Sequence, residues 1–443
     1  MEYTIQTPCG LLKGNCEDGV CRYLGIRYAT AGRFEYPREV ITWSGTYEAL
    51  AYGPAPIQAR AYPDSAHGAE KPFFHREFME GIQPKYTEDC LFLNIWAPRD
   101  AQDCSVLIVI YGGGLTSGQS DETEFDGMAF AKRGVILVTF NYRVNIFGFC
   151  ALSGLKDAYG RTGNYGYYDQ QMAFQWVRHN IRAFGGDPSR MSLIGQSAGA
   201  ASVETQIKSP LNEGLFQGAI IQSSAGFTTM LKAKDNTAQC YALWQKVYER
   251  TGCTSIEQFR IMPARQLFDT WYALAKDNMV QYATAVYDEN FTSSLKNKPC
   301  ATKIICGLTA QDTMPIVFYA LCKALAKAQW STADTYTYLF CRQLPGDDLG
   351  AWHSSDLRYV YGTLAGSWRP FTSADYALSG TMTDYFANFA KTGDPNGEGL
   401  TLWQPYTRSA KQFMIFDTDN CKMEKPKVWR LLWETLFYKG PRG

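Results

Sequence analysis

Histidine is scarce in this sequence. His67, His75, His179 and His353 are the only four among 443 residues, so any imidazole chemistry must draw on one of them. None joins a second His or a Cys pair at ligand spacing, and neither Cys16 with Cys21 nor Cys300 with Cys306 forms C-x-x-C, which argues against a bound metal. Net charge is absent as well: 43 Lys and Arg face 43 Asp and Glu, with no basic block of five or more, so the footprint of a nucleic-acid binder is missing. The longest apolar runs, around Ser105–Tyr111 and Gly134–Phe140, fall far short of the ~20 residues a membrane-spanning helix needs. The start, Met1-Glu2-Tyr3-Thr4-Ile5, lacks the basic and apolar segments of a secretory signal, and the expected setting is cytoplasmic. Cysteine is present, but its 13 residues are odd in number and scattered, unlike a disulfide framework, and most read as free thiols.

What is there is a globular chain with 46% apolar and 19% charged residues, which excludes disorder. No repeat or linker divides it, so it reads as one domain over residues 1–443. The first sixty residues alternate short β-like runs with Gly and Pro, as small antiparallel strands do. From about residue 90 the rhythm changes. Cys90–Trp96, Ser105–Tyr111, Gly134–Phe140 and Met191–Ile194 are short apolar runs, typical of strands buried on both faces and joined by crossovers. A mostly parallel sheet follows, and its run returns at Lys303–Gly307 and Thr335–Cys341. A helix over Asp169–Phe184, capped by Asp169 and stopped by Gly185-Gly186-Asp187-Pro188, links two of the strands. About 230–300 reads as a helical cap inserted in the sheet domain.

Gly195-Gln196-Ser197-Ala198-Gly199 fits G-x-S-x-G, with a strand before it and a helix start after it. Small neighbours let a sharp strand-to-helix turn hold Ser197 exposed, although an ordinary glycine-rich turn has the same letters. Tyr111-Gly112-Gly113-Gly114-Leu115 has the form of an oxyanion loop, and the amides of Gly113, Gly114 and Ala198 are the candidate donors. A serine needs a base. His179 lies among polar residues of a helix, and His67 and His75 flank a Pro-rich loop, whereas His353 follows the nucleophile in the chain order Ser, acid, His. For the acid, Asp312 beyond the strand Lys303–Gly307 is favoured by position. Asp347, Asp348 and Asp356 remain alternatives.

With these motifs in place, the sequence resembles the type-B carboxylesterase and cholinesterase family over nearly its full length. The shared stretches are YLGIRY at Tyr23–Tyr28, EDCLFLNIW at Glu88–Trp96, YGGGL at Tyr111–Leu115 and NYRVNIF at Asn141–Phe147. They continue with GNYGYYDQ at Gly163–Gln170, NIRAFGGDP at Asn180–Pro188, GQSAGA at Gly195–Ala200, GAWHSSDLRYVYG at Gly350–Gly362 and FANFAKTGDPN at Phe386–Asn396. The resemblance implies an α/β-hydrolase fold, of an intracellular bacterial type with a reduced cap, and hydrolysis of small to medium uncharged carboxylic esters through an acyl-serine. It implies Ser197 as nucleophile, His353 as base, Asp312 as acid, Gly113, Gly114 and Ala198 as oxyanion donors, and Ser223 as a supporting serine. No cofactor is implied, and the partner is a small-molecule ester. Leu115, Phe147, Phe227 and Trp352 are expected near the pocket or in the core. Two other readings stand beside this one: a deacylase for aromatic (feruloyl-like) or sugar esters, and a non-catalytic binding or adhesion module.

Four departures from the family pattern carry information. The acid is Asp312 in Gln311-Asp312-Thr313, where the family has Glu in D-E-G. Gln196 stands before the serine where Glu is common, which removes a carboxylate that a cationic ester would use. The segment from Asp312 to His353 is short, and a wider, shallower pocket is expected. Cys90 and Cys253 each match half of a family disulfide whose other half is missing here, Pro56 standing at the partner position of Cys90, as suits a reducing compartment.

Overall fold

Strand-forming runs assemble one sheet in the computed structural model, which describes residues 2–61, 72–224, 235–276, 282, 285–291, 300–329, 332–418 and 421–441. Its 13 strands are β1 (Glu2–Thr7), β2 (Gly10–Glu17), β3 (Val20–Arg27), β4 (Thr46–Glu48), β5 (Phe92–Pro98), β6 (Cys104–Ile110) and β7 (Val135–Phe140), then β8 (Gly186–Gln196), β9 (Phe216–Gln222), β10 (Lys303–Thr309), β11 (Thr335–Phe340), β12 (Phe413–Phe416) and β13 (Lys422–Glu424). The order is β1-β2-β3-β5-β7-β6-β8-β9-β10-β11-β12-β13, with β4 on β2. Every pairing from β7 through β12 is parallel; β1, β2, β3 and β5 join antiparallel, as does β13. The parallel strands are apolar along nearly their whole length because helices cover the sheet.

Those helices include α1 (Pro72–Phe78), α2 (Tyr165–Asn180), α3 (Ala198–Lys208), α4 (Thr237–Thr251), α5 (Ile256–Ile261), α6 (Ala264–Ala275), α7 (Pro315–Gln329), α8 (Ser373–Thr392) and α9 (Val428–Phe437). No helix among the described residues is long and apolar enough to cross a membrane. Between β9 and β10 the described residues are helical in α4, α5 and α6.

One local expectation is corrected. The helix begins at Tyr165, with Asn164 at its N-cap, and Asp169 lies inside it. Its carboxylate is fully buried and accepts from Arg143 N, Nε and Nη2 at 3.0, 2.8 and 2.8 Å, so a buried ion pair replaces the expected cap. Most cysteines are free, as expected, and the exception is Cys16 with Cys21, which stand opposite each other in β2 and β3 and form a disulfide. Asp18-Gly19 makes the two-residue turn between them, both residues at positive φ, 50° and 76°. Cys90 and Cys253 are free.

Candidate active site

The carboxyl ends of neighbouring parallel strands bring the candidate groups together. β8 lies between β6 and β9, with Ile110 beside Gly195 and Gln196 beside Gln222. The loop after β6 therefore abuts the turn after β8. Ser197 occupies that turn at φ 57° and ψ −126°, its N–H donating to Gln222 O at 2.9 Å, and α3 starts at the next residue. Such a backbone costs roughly 1–3 kcal/mol and persists only where its surroundings enforce it. The enforcement is steric: a Cβ on Gly199 would stand 2.1 Å from Ile110 O, and one on Gly195 2.6 Å from the Gly199 backbone.

The glycine loop is held against this turn. A Cβ on Gly112 would meet Gln196 O at 2.8 Å. Gly113 and Gly114 take φ 101° and 65°, and the Gly113 carbonyl accepts from Thr116 N and Ser117 N at 3.1 and 3.0 Å. Because a trans peptide points its C=O and N–H in opposite directions, the Gly114 N–H is turned out of that bend. Behind the loop, Tyr111 and Tyr142 stack at 4.3 Å and exchange bonds from each hydroxyl to the other's carbonyl.

Asp312 and His353 arrive from the loops after β10 and β11. A parallel bridge joins Gln311 to Trp352, Gln311 N donates to Ala351 O at 3.0 Å, and Ala351 N donates to Gln311 Oε1 at 2.8 Å. This pairing puts His353 Nδ1 2.5 Å from Asp312 Oδ1. The Asp312 carboxylate is buried and also accepts from Thr313 N at 2.8 Å and from Thr309 N and Oγ1 at 3.3 and 3.2 Å. Burial pushes its pKa up, but the facing imidazole, its hydrogen bond and the Ser223 hydroxyl outweigh that and hold it below the ordinary value. Ser223 Oγ itself makes no well-aligned hydrogen bond. For His353 burial lowers the pKa, and the Asp312 and Asp356 carboxylates more than reverse this, leaving it raised.

The other carboxylates are used elsewhere. Asp347 accepts from Arg369 Nη2 at 2.6 Å, and Asp348 is exposed. Asp356 is buried on Tyr338 OH and Gln222 Nε2 at 2.7 and 3.1 Å, and burial first, then the Asp312 charge, brings its pKa to about 6. His179 is exposed on Glu39 and His75 is exposed, while His67 lies outside the described residues.

Ser197, Gln196, Gly112, Gly113 and His353 share the lining of a cavity of about 400 Å³. Gln196 Nε2 lies 3.1 Å from His353 Nε2, a contact the sequence did not disclose. An amide N–H donates, so it meets the ring nitrogen that carries the lone pair and leaves the proton on Nδ1, facing Asp312. Of the two places open to the expected wall residues, the structure gives the core. Leu115, Phe147 and Trp352 are packed into the core, Trp352 against Phe73, Phe74 and Phe78, and Phe227 lies outside the described residues. The aromatic wall consists of Phe74, Phe78, Phe125, Phe268, Trp271 and Tyr272. On α6 the spacing of the last three looks like an ordinary core stripe, so periodicity alone could not single them out. Glu122 and Glu124 line the cavity too, and their one sequence signal is that they follow the glycine run in the same loop. No metal-ligand cluster occurs among the described residues.

The profile of the Carboxylesterase family matches residues 2–329 and 316–429. A bile salt-activated lipase of Bos taurus is 31% identical across 96% of this chain and 85% of its own. A para-nitrobenzyl esterase of Bacillus subtilis (strain 168) is 28% identical across 94% and 95%. Among solved structures, a PNB esterase superposes with a TM-score of 0.80 at 25% identity over 98% of this chain and all 100% of its own. A Geobacillus stearothermophilus carboxylesterase does so with 0.79 at 27%, again over 98% and 100%.

Proposed function

This chain belongs to the carboxylesterase family and is a serine hydrolase of carboxylic esters, and we propose that Ser197, His353 and Asp312 perform the hydrolysis. His353 Nε2 takes the proton of Ser197 Oγ as the oxygen attacks the ester carbonyl carbon. The amides of Gly113, Gly114 and Ala198 stabilise the oxyanion, each worth roughly 2.7–4 kcal/mol at the barrier. The C–O bond to the alcohol breaks, and the leaving alkoxide receives the proton from His353. Water then repeats the sequence on the acyl-serine and frees the acid. Asp312 holds the Nδ1 proton in place and stabilises the imidazolium, and Ser223 supports Asp312. Substrates are small to medium uncharged esters.

The observation that carries this reading is the 2.5 Å contact of His353 Nδ1 with Asp312, at the edge of the cavity that the strained Ser197 also lines. Helices α4 to α6 serve as a cap within a single domain, with α6 supplying part of the wall. A cytoplasmic setting belongs to the same reading: the free Cys90 and Cys253 support it and the Cys16–Cys21 bridge weighs against it.

The test is Ser197→Ala. Hydrolysis of para-nitrophenyl acetate falls roughly a thousandfold or more, with circular dichroism and melting unchanged. Turnover that survives the substitution removes Ser197 from the mechanism.

A further inference from the structure

Helix α9 turns its apolar residues outward. Val428, Trp429, Leu432, Trp433, Leu436 and Phe437 are all exposed, Trp429 to 69% and Trp433 to 60%. At roughly 100° per residue these fall on one half of the helix circumference, with Leu431, Glu434 and Thr435 on the other. The inner half is tied to the body of the protein: Leu431 is buried, Gln311 Nε2 donates to Glu434 Oε1 at 2.9 Å, and Ile316 N donates to Thr435 Oγ1 at 3.1 Å. Gln311 and Ile316 flank Asp312, so α9 sits at the end of the sheet where Ser197 and His353 meet. A surface helix ordinarily hides its apolar side, and a contiguous apolar patch left exposed marks an interaction surface.

Charge around this face has one sign. Residues 421–441 hold Lys422, Lys425, Lys427, Arg430 and Lys439 against Glu424 and Glu434, in a chain with no net charge. Lys422 meets Glu424 at 2.9 Å, and Glu434 turns inward to Gln311, 4.0 Å from Arg430. Lys425, Lys427, Arg430 and Lys439 are exposed. We propose that the outer half of α9 docks on an anionic lipid bilayer, with its indoles at the boundary of headgroups and acyl chains and its lysines on the headgroup phosphates. A helix surface is convex, so it gives a small ligand no enclosure. A second copy of the same face would set like charges against each other around the rim, whereas phosphate-bearing lipid complements them. Trp and Lys are also the side chains that hold a helix at this depth, since each joins an apolar body to a polar tip. Docking of this kind does not depend on the Ser197 chemistry.

The experiment is co-sedimentation of the full chain with vesicles of ether-linked lipid, which an esterase leaves intact, made of phosphatidylcholine alone or of phosphatidylcholine and phosphatidylglycerol in equal parts. The wild type binds the mixed vesicles about tenfold or more tighter than phosphatidylcholine alone, and added salt weakens that binding. Trp429→Ser combined with Trp433→Ser lowers affinity for the mixed vesicles about tenfold or more, while melting and para-nitrophenyl acetate hydrolysis stay at the wild-type level. Lys425→Gln, Lys427→Gln and Lys439→Gln together bring the two compositions to within about twofold of each other. Wild-type protein that stays in the supernatant with both vesicles overturns the proposal, as does equal binding to the two compositions. Binding that survives the double tryptophan substitution overturns it too. Sedimentation velocity supplies the remaining outcome: a dimer that the tryptophan substitutions convert to monomer identifies a second copy as the occupant of the face and overturns the lipid assignment.

Discussion

At the scale of single residues, the protonation of His353 governs the account. Its neutral form is the proposed base, and although burial lowers its pKa, the carboxylates of Asp312 and Asp356 raise it above the ordinary 6.5. The acid limb of kcat/KM therefore has its midpoint above pH 6.5. Asp312→Asn removes the larger of the two charges, so the limb moves to lower pH while the rate falls about a hundredfold or more. Gln196→Glu acts in the opposite sense: a carboxylate 3.1 Å or so from the outer ring nitrogen favours imidazolium and moves the limb to higher pH. A pH–rate profile of the three proteins on one neutral ester checks both shifts. Position along the chain favoured Asp312 as the acid but left Asp347, Asp348 and Asp356 open. What separates them in space is the Gln311–Trp352 bridge, a long-range pairing with no local sequence mark.

At the scale of elements, the buried strands were legible because runs such as Val135–Phe140 need only be apolar to be recognised. Polar residues were harder. Asp169 looks like a cap at the start of a helical pattern, yet its carboxylate turns inward to Arg143, a partner 26 residues away. Cys16 and Cys21 could have been paired from the Asp18-Gly19 turn, whose two-residue length fixes the register. A true cap occurs at α8, which lies against β6 and β8. There Thr372 and Asp375 form a capping box, and Asp375 also accepts from Arg342 and Tyr359. Burial opposes ionisation of Asp375, but Arg342 and the Thr372 donors prevail and bring its pKa to about 2. A folded pKa below the unfolded ~3.9 means its stabilisation is present above that value and is lost as pH falls towards 2. Asp375→Asn should cost about 1–3 kcal/mol at neutral pH, read as a lower urea midpoint, and the gap to wild type should narrow as the solution is acidified.

At the scale of the whole molecule, the sheet order explains why segments remote in sequence meet. Loops after β6, β8, β10 and β11 open at one end of adjacent parallel strands, so Gly113, Ser197, Asp312 and His353 converge although they span 113 to 353 in the chain. The motifs of that set were readable because each sits on a local strand-to-loop pattern. The cavity wall was not. Phe74, Phe125 and Trp271 come from separate elements whose meeting depends on how α1 and α6 pack over the sheet end, and apolar letters alone assign such residues to the core.

The most direct measurement is stoichiometric labelling of the protein with a fluorophosphonate, followed by peptide mapping in a mass spectrometer. One label per chain on the peptide containing Ser197, with hydrolysis lost in proportion, is the predicted result. A label at another residue, or full hydrolysis in protein whose Ser197 is modified, would contradict the account.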